Sequence, residues 1–284
     1  MAEFHLIQSQ IAAEHAEKKK GYWDLFRDWP NVRRMIITMM IQASCQMTGI
    51  SAIEYFSPQI YAQIGIPTAE SLLFLGVNAI LSLLGTITTI LVIDKIGRRP
   101  LEIYGAFIMS ATFLINAIII KLFPADSPNS GAHWAFVIFG WVFNYVFWTT
   151  SGPLSWAIPA ELFGTALRMK GVSVGAMTSF AFNTMIGQVT PVAIASIGWK
   201  YYILFIVCNF TSGLFFWAFL PETKGLNLED LDELFYQSPV FVPGSKWVPS
   251  SHIDEDAKKI AGGHGNLDSP GEKMPEAEFR ETAL

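Results

Sequence analysis

An uncharged, mostly apolar run over residues 71–93 leads directly into a charged turn at residues 94–100, whose sequence is DKIGRRP. A helix of that length is long enough to cross the hydrocarbon core of a bilayer, which is about 30 Å thick. The charges of the turn cannot lie in hydrocarbon, so we predict a tight connection between two membrane spans. Because short loops rich in Lys and Arg stay in the cytoplasm, this turn also predicts the direction of every other span.

The composition is that of a multi-pass membrane protein. Hydrophobic residues make up 51% of the 284 residues and charged residues 15%, against about 25% charged residues in soluble domains. Bases occur in loops and most acids lie in the tail, so no basic stripe indicates a nucleic-acid partner. The two cysteines, Cys45 and Cys208, lie in apolar runs without a cluster of other metal-binding residues. We therefore expect neither a metal site nor a cofactor.

Hydrophobic runs separated by polar loops predict an all-α membrane protein with six transmembrane helices. Residues 1–32 are predicted to be a cytoplasmic segment, and residues 223–284 a cytoplasmic, largely disordered tail. Most bases close to a span lie on the inner side, so both termini are predicted to be cytoplasmic. Within residues 33–222 we place the spans at about 35–56, 71–93, 101–122, 133–158, 171–194 and 199–220.

The first and fourth spans are interrupted. The first carries Gln46 and Glu54 and is broken at Gly49. The fourth is rich in aromatic residues and is broken at Gly152-Pro153. Polar groups within a span face a cavity or another helix, because lipid would leave their hydrogen-bonding groups unsatisfied. Broken helices at corresponding positions of two halves, spans one to three and four to six, are typical of the substrate site of a transporter.

Four motifs occur in a fixed order along the chain. They are the stretch QMTGISAIEY at residues 46–55, the turn at residues 94–100, the stretch WAIPAELF at residues 156–163 followed by Arg168, and the stretch PETKG at residues 221–225. From about residue 18 to residue 235 the chain resembles the sugar porter family of the major facilitator superfamily, particularly its fungal members. These motifs lie in the seventh to twelfth helices of that family, so the resemblance implies the C-terminal six-helix half of a twelve-helix transporter.

The resemblance implies transport of a sugar or sugar-like solute, with coupling to protons left open. It also implies substrate contacts at Gln46, Asn78 and Trp156. Amides both donate and accept hydrogen bonds to hydroxyl groups, and an indole can stack on the face of a pyranose ring. The candidate substrate-binding set is Gln46, Ser51, Tyr55, Asn78, Trp156 and Asn183.

This sequence departs from the family pattern at four positions. Cys45 stands in place of the first residue of a common Gln pair, and Ser51 in place of an Asn. Trp148 stands where animal glucose carriers have a Glu, and Phe180 where the family has a Trp. Fewer polar groups leave fewer partners for sugar hydroxyls, so a polyol, an organic acid or another sugar-like solute stays open as the substrate.

Charged residues at the cytoplasmic ends of the spans form a candidate gate. Glu161 and Arg168 are seven residues apart and are predicted to share one face of a helix. The resemblance implies that they pair with charges of the turn at residues 94–100 when the cytoplasmic side is closed, and separate when it opens. The candidate gate set is Asp94, Arg98, Arg99, Glu161, Arg168 and Glu222.

Transporters of this superfamily move one six-helix bundle against another, whereas this sequence contains one bundle. We therefore expect the chain alone to be inactive, with the solute, the plasma membrane bilayer and an N-terminal six-helix half as its partners. Two alternatives are a non-transporting membrane sensor or interaction module, and a half-transporter that works as a homodimer. An enzyme is not expected, because Glu54 is the only clear carboxylate within a span and has no His or Cys at catalytic spacing.

Overall fold

The computed structural model describes residues 21–123, 130–226 and 228–243, and within these ranges all regular structure is helical. Most predictions for residues 1–32, 223–284 and the loop near residue 125 therefore concern positions outside the described residues. The α-helices are α1 (Asp24–Arg27), α2 (Trp29–Met47), α3 (Ile50–Ala62), α4 (Thr68–Ile96), α5 (Arg98–Leu122), α6 (Ser130–Thr149), α7 (Ser151–Leu162), α8 (Thr165–Ile197), α9 (Tyr201–Phe219) and α10 (Leu228–Gln237), with a 3₁₀ turn over Gly198–Lys200 before α9.

Four helical stretches in the described part of the chain are long and apolar enough to cross a membrane, judged by length and composition. The last of them has 53 residues and contains both α8 and α9, which at about 1.5 Å per residue exceeds twice the thickness of a bilayer core. The aromatic helix α6 is not among the four. Six membrane spans therefore stay a prediction. The four stretches are Trp29–Ala62, Ala69–Ile96, Arg98–Leu122 and Leu167–Phe219.

The first predicted span is broken at Gly49, where α2 ends and α3 begins. Gly49 has a φ of 95°, a conformation that residues with a Cβ atom rarely adopt. A Cβ atom here would also lie 2.8 Å from the Phe113 ring and 2.9 Å from the Phe205 ring. The Thr48 carbonyl beside the break accepts a hydrogen bond from the Asn209 side chain at 3.1 Å. The break is thus held by close aromatic packing and by a polar contact from α9.

The fourth predicted span is broken at Thr150, slightly earlier than predicted. Thr150 has φ −123° and ψ −93°, whereas Gly152 and Pro153 lie in the first turn of α7. Proline is tolerated there, because backbone N–H groups in the first turn lack a helical partner anyway. The Thr149 carbonyl before the break accepts a hydrogen bond from the Thr89 hydroxyl at 2.8 Å. A side chain of α4 therefore satisfies a backbone group beside the break.

Helix α5 is central to the packing, since it lies against both α9 and α6. Phe113 of α5 packs against Phe143 and Phe205, with ring centroids 4.7 and 5.3 Å away. Helix α2 packs along α8. The broken helices α2–α3 and α6–α7 both line one interior cavity.

Helix α10 was not predicted from the sequence. Its Phe235 is buried and lies beneath the guanidinium groups of Arg33 and Arg34, at 5.2 and 4.7 Å from the ring centroid. Arg34 also pairs with Asp232 at 2.5 Å, and Arg33 donates to the Ser238 carbonyl at 3.0 Å. The segment after the last predicted span is therefore tied to the start of α2 by charge and aromatic contacts.

Candidate functional site

A cavity of about 350 Å³ opens between the α2–α3 break, the start of α7 and the middle of α8. Polar side chains of α2, α3 and α8 line one part of it, the polar wall, and aromatic side chains of α6 and α7 line another part, the aromatic wall. A volume of this size falls in the usual range for small-molecule sites, about 300–1,000 Å³. The lining residues are Cys45, Gln46, Ile50, Ser51, Glu54, Tyr55, Thr86, Phe147, Trp148, Gly152, Pro153, Ser155, Trp156 and Asn183.

The polar wall is one connected hydrogen-bond network. The Gln46 Oε1 atom accepts from the Ser51 hydroxyl at 2.8 Å and from the Asn183 amide at 3.1 Å. The Asn183 amide also donates to the Ser51 hydroxyl at 2.9 Å, while its Oδ1 atom accepts from Tyr55 at 3.3 Å. The Gln46 amide donates to Ser179 at 3.0 Å. Because the break at Gly49 separates Gln46 from Ser51, their side chains meet through tertiary geometry and not through helical spacing.

The aromatic wall is contributed by the segment around the second break. Trp156 lies on α7 with 48% of its surface exposed, so a large part of its indole is free to contact a solute. Pro153 and Ser155 line the cavity beside it. The Ser155 carbonyl accepts a hydrogen bond from Gln42 at 2.8 Å, which joins α7 to α2. The cavity therefore offers both hydrogen-bonding groups and aromatic surface to a solute.

A charge cluster lies at the end of the bundle that holds the turn at residues 94–100. Arg98 donates to Glu161 at 3.0 Å and to Asp94 at 3.3 Å. The Glu161 carboxylate also accepts from the Thr223 hydroxyl at 3.1 Å. These contacts join α4, α5, α7 and the segment after α9. The predicted pairing between the two charged motifs is thus present between Arg98 and Glu161.

Comparison with protein-family models finds a match to "Sugar (and other) transporter" over residues 2–235 of this chain. The chain belongs to this family of sugar transporters. Proteins of the family are transporters and not enzymes. The sugar porter resemblance found in the sequence motifs is therefore confirmed.

Several yeast sugar transporters are relatives of this chain. The hexose transporter HXT8 of Saccharomyces cerevisiae is 29% identical over 263 residues, which are 90% of this chain and 46% of the relative. The hexose transporter HXT13 of the same yeast is 30% identical, with 86% of this chain and 44% of the relative covered. The chain thus spans about half the length of the curated relatives it matches.

Two solved structures of similar fold are those of the xylose transporter XylE, which is described as a protein of the major facilitator superfamily. The proton:xylose symporter XylE bound to 6-bromo-6-deoxy-D-glucose matches with a TM-score of 0.65 and 23% identity, over 81% of this chain and 49% of that one. The inward-open xylose transporter XylE from E. coli matches with a TM-score of 0.60, over 72% and 42% of the two chains. The sugar transporter family member therefore has the all-α fold of this superfamily.

Five of the six candidate substrate-binding residues line the cavity. The sixth, Asn78, lies outside it. Asn78 is buried on α4, and its carbonyl accepts from the Asn144 side chain at 2.9 Å. Asn144 also donates to Ser82 at 3.0 Å. These contacts place Asn78 in a polar connection between α4 and α6. Sequence order alone could not distinguish this position from a cavity-lining one.

Glu54 lines the cavity but was left out of the candidate set. The signal in the sequence was its carboxylate within a predicted span, eight residues after Gln46. Within the described residues no group of three or more His, Cys, Asp or Glu could hold a metal ion. The cavity therefore offers hydrogen bonds, one carboxylate and an aromatic surface to a bound solute.

Two members of the candidate gate make other contacts in the transporter fold. Glu161 lies in the last turn of α7, which ends at Leu162, and Arg168 lies on α8; between the two helices the backbone is extended at Phe163, with ψ 134°. The prediction that Glu161 and Arg168 share one helical face is therefore wrong. The Arg168 side chain instead donates to the Phe163 carbonyl at 3.3 Å. Arg99 donates to the Trp217 carbonyl at 2.6 Å, which ties the turn to α9.

Glu222 has a structural contact that the sequence did not reveal. Its carboxylate accepts from the backbone N–H groups of Arg98 at 3.0 Å and Arg99 at 3.2 Å. A carboxylate at the N-terminus of a helix satisfies free N–H groups and complements the helix dipole. A Cβ atom at Gly97 would lie 2.6 Å from this carboxylate, so the close approach depends on glycine.

Glu102 was not selected from the sequence, and the prediction that Glu54 is the only clear carboxylate within a span is wrong, because Glu102 is the second residue of the predicted third span. It is 1% exposed and accepts a hydrogen bond from the Ser151 hydroxyl at 2.9 Å. Glu102 and Arg98 are four residues apart on α5, so both lie on one face of that helix. Arg98 holds the end of α7 through Glu161, and Glu102 holds its start through Ser151. Helix α7 is therefore fastened to α5 at both ends.

Proposed function

We propose that this chain forms the C-terminal six-helix half of a sugar porter and contributes one side of a binding site for a sugar or sugar-like solute. The observation that carries the proposal is that the hydrogen-bonded network of Gln46, Ser51 and Asn183 and the indole of Trp156 line the same cavity. Hydroxyl groups of a solute would exchange hydrogen bonds with the amides, and the C–H face of a ring would stack on the indole. The relatives' hexose and xylose transport supports this class of solute.

The charge cluster serves in this proposal as the cytoplasmic gate. Arg98, Glu161 and Asp94 form its core, with Glu222 and Thr223 as supports for the turn at residues 94–100. Pairing between α5 and α7 favours a closed cytoplasmic side, and its loss favours an open one. On this interpretation the turn and both termini lie in the cytoplasm, and the chain lies in the plasma membrane.

A second six-helix bundle completes the site in this proposal. Tyr55 and Trp156 are exposed at the cavity, at 56% and 48%, and Met177 and Phe180 of α8 expose 70% and 67% of their surface. An apolar surface next to a half-open polar site is suited to another bundle across the cavity. The whole relatives have about twice the length of the matched region. We therefore expect the chain alone to be inactive in transport.

The binding proposal is tested with the chain in nanodiscs together with the N-terminal half of a yeast hexose transporter relative. Binding of radiolabelled D-glucose, D-xylose and a polyol is measured for the wild type and for Trp156→Phe. We expect the variant to bind the preferred solute at least about fivefold more weakly, which corresponds to about 1 kcal/mol. Trp134→Phe, on α6 outside the cavity, is the matched control and keeps wild-type affinity. Equal affinity in both variants would count against the cavity as the site.

The transport proposal is tested by uptake into proteoliposomes. The chain alone is expected to give the same uptake as empty vesicles, and the two halves together are expected to restore uptake. Uptake by the chain alone would contradict the need for a second bundle and would favour a homodimer. Absence of uptake by both halves, with solute binding retained, would favour the non-transporting sensor.

A further inference from the structure

The most unusual ionisable group in the described bundle is Glu102. Its side chain is buried by protein on α5, and only its Oε2 atom has a hydrogen bond, from the Ser151 hydroxyl at 2.9 Å. The Oε1 atom is buried and has no hydrogen-bond partner within the described residues. A buried carboxylate with a single neutral donor is costly when it is ionised.

The charged side chains of α5 and α7 are engaged elsewhere. Arg98, one turn before Glu102, bonds to Asp94 and Glu161. Arg99 donates to the Trp217 carbonyl. Glu161 is the only Asp, Glu, Lys or Arg of α7. No cation of either helix forms an ion pair with Glu102 within the described contacts.

The other neighbouring helices also leave Glu102 without a counter-ion. Helices α6 and α9 contain no Asp, Glu, Lys or Arg, and their titratable groups are one His, several Tyr and one Cys. On α2 the buried titratable group is the Cys45 thiol, which carries no positive charge. The two arginines of α2 contact the segment around α10. At the turn end of α4, Asp94 faces Arg98, and the Lys95 carbonyl accepts from Lys224.

We propose that Glu102 is a proton-binding site, and that it holds a proton while α7 is fastened to α5. The neutral carboxylic acid accepts the Ser151 hydrogen bond without placing a charge in the bundle. Loss of the proton creates an uncompensated charge, which is stable only where water reaches it. Proton release therefore favours separation of α7 from α5, and proton binding favours the fastened state.

The position of Glu102 links this proton to the solute cavity. Its partner Ser151 is the first residue of α7, and Gly152, Pro153 and Ser155 just after it line the cavity. The neighbouring contact is tight, since a Cβ atom at Gly105 would overlap the Thr150 hydroxyl. A change in the Glu102–Ser151 contact therefore moves residues that form the cavity wall. This coupling rests on the proposed transport function, whereas proton binding itself does not.

Proton binding is tested by infrared spectroscopy on the purified full chain in nanodiscs at neutral pH. The C=O stretch of a protonated carboxylic acid absorbs above the amide I band and shifts in D₂O. We expect this band in the wild type and its loss in Glu102→Gln, which keeps an oxygen for the Ser151 hydrogen bond. Glu54→Gln, which removes the other carboxylate of the spans, is the matched control and keeps the band. A band that survives in Glu102→Gln would overturn the proposal.

A second variant keeps the test valid if Glu102→Gln folds poorly. Ser151→Ala retains the acid but removes its donor, so the band should remain and shift in frequency. An unshifted band in Ser151→Ala would overturn the assignment to Glu102.

Spin labels on Tyr104 of α5 and Ala160 of α7 then test the coupling by their distance distribution as pH rises. The distance should increase in the wild type and stay constant in Glu102→Gln, and a pH-independent distance in both would overturn the coupling.

The infrared result separates this inference from the transport proposal. Failure of solute binding or uptake with the acid band present would leave Glu102 as a proton-binding site. Absence of the Glu102 acid band with solute binding intact would overturn this inference and leave the transport proposal unaffected.

Discussion

The carboxylate of Glu222 accepts a hydrogen bond from the backbone N–H of Arg98 at 3.0 Å, across 124 residues of sequence. The same carboxylate accepts from the Thr223 and Lys224 backbone N–H groups at 3.0 Å. The Glu222 side chain, just after α9, therefore accepts hydrogen bonds both from its own turn and from the start of α5. This contact makes the PETKG motif part of the charged turn in three dimensions, although the two are far apart in sequence.

Removal of the Glu222 carboxylate should destabilise the bundle. Glu222→Ala leaves N–H groups at the start of α5 without an acceptor, and we expect a loss of about 1–2 kcal/mol in the free energy of unfolding. The measurement is denaturant unfolding of the purified chain in detergent. Asp94→Asn is the control and should change stability by less than about 0.5 kcal/mol, because an exposed surface pair contributes little. Equal losses in both variants would contradict the capping role.

The Arg98–Glu161 pair should show measurable coupling in a double-mutant cycle. The Arg98 side chain is 16% exposed and that of Glu161 is 31% exposed, so solvent screens the pair only in part. We expect Arg98→Gln and Glu161→Gln to be coupled by about 0.5–1.5 kcal/mol in unfolding free energy. Arg168→Gln combined with Glu161→Gln should be additive, because Arg168 bonds to the Phe163 carbonyl. Coupling in the second cycle larger than in the first would contradict the observed pairing.

Solute affinity should depend on Gln46 and much less on Asn78. Gln46→Ala removes the acceptor shared by Ser51 and Asn183, and we expect binding to weaken by at least about tenfold, or about 1.4 kcal/mol. Asn78→Ser lies outside the cavity and should change affinity by less than about threefold, even where it lowers stability. Isothermal titration calorimetry of the paired halves with the preferred solute gives both values. A larger loss for Asn78 than for Gln46 would place the site elsewhere.

The break at Gly49 should not tolerate a side chain. Gly49→Ala combines a φ of 95° with a Cβ atom 2.8 Å from Phe113, and we expect more than about 2 kcal/mol of destabilisation. Gly140→Ala on α6 has no heavy atom within 4 Å of the new Cβ and should be neutral or stabilising by up to about 1 kcal/mol. Thermal unfolding of the two variants in the same detergent makes the comparison. Similar melting temperatures would show that the break can relax.

The candidate site was partly predictable because some of its signals are local. Polar residues in the first span, the indole of Trp156 and the charged turn at residues 94–100 each stand out against apolar surroundings. Asn78 looked the same by this criterion, yet it lies outside the cavity, and its backbone carbonyl accepts from the Asn144 side chain of α6. Glu102 was missed because nothing near it in sequence reveals that Ser151 lies opposite.

The apolar helices, their polar turns, the two interruptions and the family were predictable from the residues alone, because each depends on residue type and spacing along one segment. Which polar groups meet depends on the packing of the helices in three dimensions. Gln46 reaches Ser51 and Asn183 through a backbone break and a neighbouring helix, and Arg98 finds Glu161 while Arg168 does not. These outcomes depend on the rotation and crossing of packed helices, which the order of residues along one helix does not specify.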